Sequence, residues 1–330
     1  MRQILGGLAA GVRRAALMAA AAFAGLALSA IPAHAADKPV RLVIFAPGGP
    51  VDQVARQLAD KLSKVMGTDV YVDAKPGANG IVAAQNVIAA DPDGTTLLFS
   101  SSGLFTISPI FQKLPFDIDR DVIPVSRVVV NASAVAIDAN IPAANVREFI
   151  AYAKSKGQAL DFGSPGVGNI TQLWIEQFAD ATGLSLMSVP YKGIAPVLVD
   201  VMGGRLAGTV GDLPAFLPHL KSGRMRVIGL VGDTRSPAAP DIPTVQEQGY
   251  PGLNAVSWYA VFASGKTPPA VVAKVGAAIK QALADPALRD SLRSIGVEPS
   301  PSTPAELARI IQTDRTRWAA LIKQKNIKME

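Results

Sequence analysis

Two proline- and glycine-bearing loops hold the residues best suited to chemistry in this 330-residue chain. The first is Pro47-Gly48-Gly49-Pro50 and the second is Ser164-Pro165-Gly166-Val167-Gly168. Each precedes an apolar pattern of helical period. Glycine lets another group come close to the backbone. The first turn of a helix carries N–H groups with no internal partner and roughly half a positive charge. Strand, glycine turn and helix start together make an anion site built from backbone. Asn169 and Ile170 open the second helix and bring its first N–H groups. Ser100 and Ser101, with Ser102, end a strand-like run and offer hydroxyl donors, although a polar turn uses the same residues. Asp212 follows another strand-like run and is the best candidate for a polar side-chain contact from a carboxylate.

Other chemistries find little support. The chain has no cysteine and two histidines, His34 and His219. His219 sits in Pro218-His-Leu-Lys221, which reads as a helix end. No GxSxG, GxxxxGK[ST] or HExxH sequence occurs. Gly166-x-Gly168 lacks the third glycine of a dinucleotide fingerprint. No catalytic residue, metal ligand or cofactor is expected. No basic tract with interleaved aromatics is present, so nucleic acid is not an expected partner.

The loops must be positioned by the elements around them. Residues 42–46 form an unbroken apolar run, which predicts a strand buried on both faces. From Val51 the period changes: Val51, Val54, Ala55, Leu58, Leu62, Val65 and Met66 share a helical face, and Gly67 is a natural stop. Pro50 fits the first helical position, where its missing N–H is no loss. Strand 70–72, helix 81–90 and strand 95–99 complete a β-α-β-α-β pattern. Residues 125–130 and 134–137 read as two strands broken by Asn131, where the chain crosses into a second lobe.

That lobe repeats the scheme. A helix with Val146, Phe149, Ile150 and Ala153 on its face stops at Gly157. Strand 160–163 leads into the second loop, then a helix with Ile170, Leu173, Trp174, Gln177 and Phe178 on one face. Strands 186–191, 206–210 and 225–231 and helices 195–202 and 213–220 follow. The proline-rich stretch 236–243 reads as a return crossing. Strand 257–262 and helices near 271–283, 287–295 and 304–323 close the chain. Thr244-x-x-Glu247 and Thr303-Pro-Ala-Glu306 both match a capping box.

The expected fold class is α/β: two doubly wound lobes with a hinge and a cleft between them. Residues 36–130 with 235–330 make lobe one, and 131–234 make lobe two. The two crossings imply a hinge, and small-molecule sites favour such clefts.

Residues 1–35 read differently. Arg2, Arg13 and Arg14 precede an apolar run over 15–30, and Ala33-His34-Ala35 is a small-x-small site. This predicts a secretory signal peptide cleaved after Ala35, and hence a periplasmic protein. Cleavage takes the net charge from +6 to +3, since three arginines and no acid leave.

The chain resembles the substrate-binding proteins of tripartite tricarboxylate transporters, the Bug family. The matching pieces are Pro47-Gly-Gly-Pro-Val-Asp52, Lys75-Pro-Gly-Ala-Asn-Gly80, Pro92-Asp-Gly-Thr95, Val189-Pro-Tyr-Lys-Gly193, Gly223-Arg-Met-Arg226, Asp241-Ile-Pro-Thr244 and Trp258. In this order they span essentially the whole chain after the leader. The resemblance implies a clamp of the type II periplasmic-binding-protein kind, which closes on a small carboxylate. It adds Val51, Asp52, Ala78, Asn79 and Tyr191 to the loop residues expected at the ligand. It implies a monomer serving membrane subunits of such a transporter, with presentation to a sensor kinase as the alternative. The family often has Ser-His-Leu on the lobe-two helix; this chain has Thr171-Gln172-Leu173, so the family's histidine is absent there, and Thr171 is expected at the ligand with Asn169 and Ile170.

Overall fold

The computed structural model describes residues 38–166, 169–251, 253, 256–325 and 327. The expected signal peptide and its cleavage site lie outside them, as does Gly168.

Strand β1 (Val40–Ile44) starts the first sheet and pairs in parallel with β2 (Val70–Ala74) and β3 (Thr96–Ser101). Leu42, Val43 and Ile44 are fully buried. Leu42 and Ile44 enter one apolar cluster and Val43 another. That is what the unbroken apolar run implied: alternate side chains feed the two faces of a covered sheet. Strand β10 (Ser257–Ser264) runs antiparallel to β3 and to β4 (Val122–Asn131), and β11 (Val297–Pro299) runs antiparallel to β4. The order is β11-β4-β10-β3-β1-β2.

Helix α1 (Pro50–Met66) packs on this sheet. It has Pro50 in its first turn and ends at Gly67 in the left-handed region. Leu58 and Leu62 are buried on it, each contributing about 1.5–3 kcal/mol by leaving water. Helix α2 (Ile81–Ile88) covers the opposite face.

The second sheet has the order β7-β6-β8-β5-β9, from β5 (Ser133–Asp138), β6 (Leu160–Ser164), β7 (Leu186–Pro190), β8 (Gly208–Asp212) and β9 (Met225–Val231). Strands β6, β7 and β8 are parallel, whereas β5 is antiparallel to β8 and β9. Both sheets are therefore mixed α/β sheets. The chain passes from β4 to β5 through Ala132 alone. Helices α5 (Val146–Lys156) and α6 (Ile170–Thr182) cover one face, while α7 (Ile194–Met202) and α8 (Leu213–Leu220) cover the other.

Residues 236–253 pack with the second sheet rather than the first. Val245 and Leu253 join its core, and Leu230 forms a bridge with Thr244. The Thr244–Glu247 capping box forms, with Thr244 N–H donating to Glu247 Oε2 at 2.7 Å and Glu247 N–H donating to Thr244 Oγ1 at 2.9 Å. It caps a series of turns, not a helix.

Helix α9 (Pro269–Leu283) and helix α10 (Pro286–Ser294) return to the first sheet. The last helix, which starts at Pro304 and runs to Lys325, serves both halves. Leu307 and Ile311 enter a first-sheet cluster, and Trp318 and Ile322 enter the core of the second. Among the described residues no helix is long and apolar enough to cross a membrane.

Three elements escape a reading of the sequence. Ser102–Thr106 and Ser108–Phe111 are short helices, α3 and α4, where the serines suggest a turn. Strand β11 has three residues, too few to show a period.

Candidate functional site

A cavity of about 450 Å³ opens where the carboxyl ends of the parallel strands of both sheets meet. Such strand ends are where open α/β sheets bind ligands. The β1–α1 loop supplies Pro47, Gly48 and Gly49, the α1 start supplies Val51, and the α6 start supplies Asn169, Ile170 and Thr171. Asn79, Ser101 and Asp212 also line it. Each of these is a residue that the sequence singles out.

The first loop is built by its own acid. Gly48 has φ 74°, which favours glycine. Its N–H donates to Asp52 Oδ2 at 2.9 Å, while Arg56 Nε lies 2.8 Å from Asp52 Oδ1. Asp52 is buried off the cavity wall. A carboxylate three residues into a helix satisfies the same donors that an external anion would use. The two loops are therefore not equivalent anion cradles. In the second, Asn169 caps α6 and accepts the Thr171 N–H at 3.0 Å, and no acid stands in the first turn.

Other expected residues sit behind the wall. Ser164 is buried and its hydroxyl donates to Gly166 O at 3.3 Å, bracing the loop. Tyr191 donates its hydroxyl to Asp200 Oδ2 at 2.6 Å, and Arg205 pairs with that same acid. Ser100 is fully buried within β3, because alternation along the strand puts Ser101, not Ser100, at the cavity. Ala78 and Gly166 do not line the cavity either. Ala78 and Asn79 have φ 46° and 52°, left-handed values rare for residues with a side chain. That twist delivers Asn79 to the wall.

Asp212 ends β8 and reaches across to the first sheet. Its carboxylate accepts Ser257 Oγ at 2.7 Å, Asn131 Nδ2 at 3.1 Å and Tyr259 OH at 3.3 Å. The residue is half-buried, but its carboxyl group is enclosed by these donors. Burial pushes the carboxyl pKa up, opposed by the hydrogen bonds from Ser257, Tyr259 and Asn131. Burial and the neighbouring carboxylate push the Tyr259 hydroxyl well above its ordinary value. Asn131 and Ser257 flank the two passages between sheets, so this cluster ties the cavity floor to the crossings.

Several lining residues are missed by sequence reasoning. Trp174 has the pattern of a core residue and is 1% exposed, yet it lines the cavity. Lys192, not its neighbour Tyr191 in the same motif, is the one on the wall. Phe45, Ser257 and Tyr259 also line the cavity. Only Lys192 carries a local signal, a cation beside a glycine-led helix start. The others become wall residues through packing.

The protein-family comparison matches residues 54–327 to the family described as "Tripartite tricarboxylate transporter family receptor". A UPF0065 protein of Bordetella bronchiseptica is 34% identical, over 98% of this chain and 96% of its own. A protein of R. palustris solved with adipate superposes with a TM-score of 0.82 at 28% identity, covering 88% of this chain and 99% of that one. MatC from Rhodopseudomonas palustris with bound malate gives a TM-score of 0.76 at 27% identity, covering 87% and 99%. The mixed sheets, the cleft at their strand ends and this match along nearly all of the described chain agree, and the protein belongs to the tripartite tricarboxylate transporter receptor family.

Proposed function

We propose that this protein is an extracytoplasmic solute-binding protein that captures a small organic carboxylate between its two lobes. It then delivers that ligand to the membrane subunits of a tripartite tricarboxylate-type transporter. The observation that carries this reading is the cavity itself, bounded by helix starts from both sheets and lined, among the described residues, by one cation, Lys192. The adipate and malate seen in two relatives of the same fold support the carboxylate. The leader-like residues 1–35 support export to the periplasm. The work done is binding and release, without turnover of the ligand.

A thermal-shift screen of mono-, di- and tricarboxylates tests this. A ligand at 100 times its dissociation constant stabilises the folded protein by about 2.7 kcal/mol. The expected result is a rise in melting temperature with at least one carboxylate and with none of the matched neutral amides. Equal shifts with acid and amide, or chemical conversion of the acid on incubation, would refute the reading.

A further inference from the structure

The cavity wall offers little to neutralise charge. Among the described residues lining it, Lys192 is the one cation and Asp212 the one acid. Gly48 N–H already serves Asp52, which removes one donor of the first loop. Between these polar points the wall is carbon: Phe45, Leu104, Ile170, Trp174, Ile194 and Ala215. Two residues of the wall carry buried donors without partners among the described residues, Trp174 Nε1 and Ser102 Oγ. A buried N–H left unpaired costs stability, so its partner is to be sought in what fills the cavity.

We infer that the cleft selects a monocarboxylate with an aromatic or medium-chain aliphatic body over compact polyacids, and that the Trp174 indole N–H and Ser102 hydroxyl donate to it. This rests on the carboxylate-capture reading and narrows its ligand class. A tricarboxylate such as citrate brings three charges into a cavity with one side-chain cation. Each uncompensated carboxylate loses its hydration without recovering it. A single carboxylate meets Lys192 and the α6 start, and its apolar body replaces water against Phe45 and Trp174.

Isothermal titration of the purified protein with phenylacetate, octanoate, malate and citrate tests the selection. Phenylacetate or octanoate should bind at least about tenfold more tightly than either polyacid, a difference that the loss of one charge-assisted hydrogen bond is enough to produce. Trp174→Phe keeps the ring and removes the N–H, and should weaken the preferred acid about three- to tenfold. Ser102→Ala should act in the same direction, and it stands in if the tryptophan variant does not fold. Malate or citrate binding as tightly as the better monocarboxylate would overturn the inference and leave carboxylate capture intact. Unchanged affinity in a folded variant would overturn the donor assignment. No binding by any of the four acids would overturn the inference, whereas the reading beneath it falls only if no carboxylate of the thermal-shift screen binds.

Discussion

Lys192 is exposed at the cavity rim, where an ammonium on a flexible stem acts as a screened point charge. Lys192→Met should therefore weaken carboxylate binding by about 0.5–1 kcal/mol at low salt and flatten the salt dependence of the affinity. Titrations at two ionic strengths check this; an unchanged salt slope would remove Lys192 from the site. Asp212 makes a different prediction. Its carboxyl pKa is raised in the folded state, chiefly by burial. The folded protein thus holds that proton more tightly than the unfolded chain, whose aspartates titrate at about 3.9. The associated stability is present below that value and is lost as pH climbs through the raised one. Asp212→Asn does not titrate. The melting temperature of the parent minus that of the variant should accordingly fall as pH rises from about 4 to 7. A flat difference would mean that burial does not govern this group.

At the scale of elements, the segment before α2 is the unusual one. Gly77, Ala78, Asn79 and Gly80 all have positive φ, and the two residues with side chains carry the strain. A left-handed alanine costs about 1–2 kcal/mol. Glycine removes that cost and gives back part of it through a freer unfolded chain. Ala78→Gly should therefore stabilise the protein by about 0.5–1 kcal/mol in urea unfolding, and a loss of stability would contradict the assigned backbone. Gly77 cannot be exchanged in the same way, because a Cβ there would meet Val82 Cγ2 at 2.8 Å. The capping boxes show how local chemistry survives a change of context. Thr303 and Glu306 start the last helix as their sequence implies, with Thr303 N–H donating to Glu306 Oε2 at 2.8 Å. Thr244 and Glu247 form the same bonds with no helix to follow, because Gly249 and Pro251 stop it at once.

For the whole molecule, the two passages between sheets make a hinge, and the Asp212 cluster lies beside them. Closure on ligand should reduce the radius of gyration in small-angle scattering at saturation, and an unchanged radius would argue against a clamp. The last helix, α11 (Pro304–Lys325), complicates the motion, since its first half is buried with one sheet and its second half with the other. Closure would require it to slide or pivot.

Much of this was fixed locally and so could be read from the chain. Apolar runs set the buried strands, 3.6-residue periods set the helices, and proline and glycine placed α1 between Pro50 and Gly67. The glycine turns and the α6 start were legible because turns and helix starts depend on residues close in sequence. What tertiary structure decided were matters of long range. The antiparallel pairing of β10 with β3 and β4 joins segments more than a hundred residues apart, and no period records it. The placement of residues 236–253 and the double allegiance of the last helix depend on which core offers a matching surface. At the site, Asp52 turned inward because Gly48 N–H was in reach, and strand alternation chose Ser101 over Ser100. Trp174 has the sequence signature of a core residue and the position of a wall residue. A hydrophobic pattern reports only that a side chain leaves water; whether it meets protein or ligand is settled by what the fold brings opposite it.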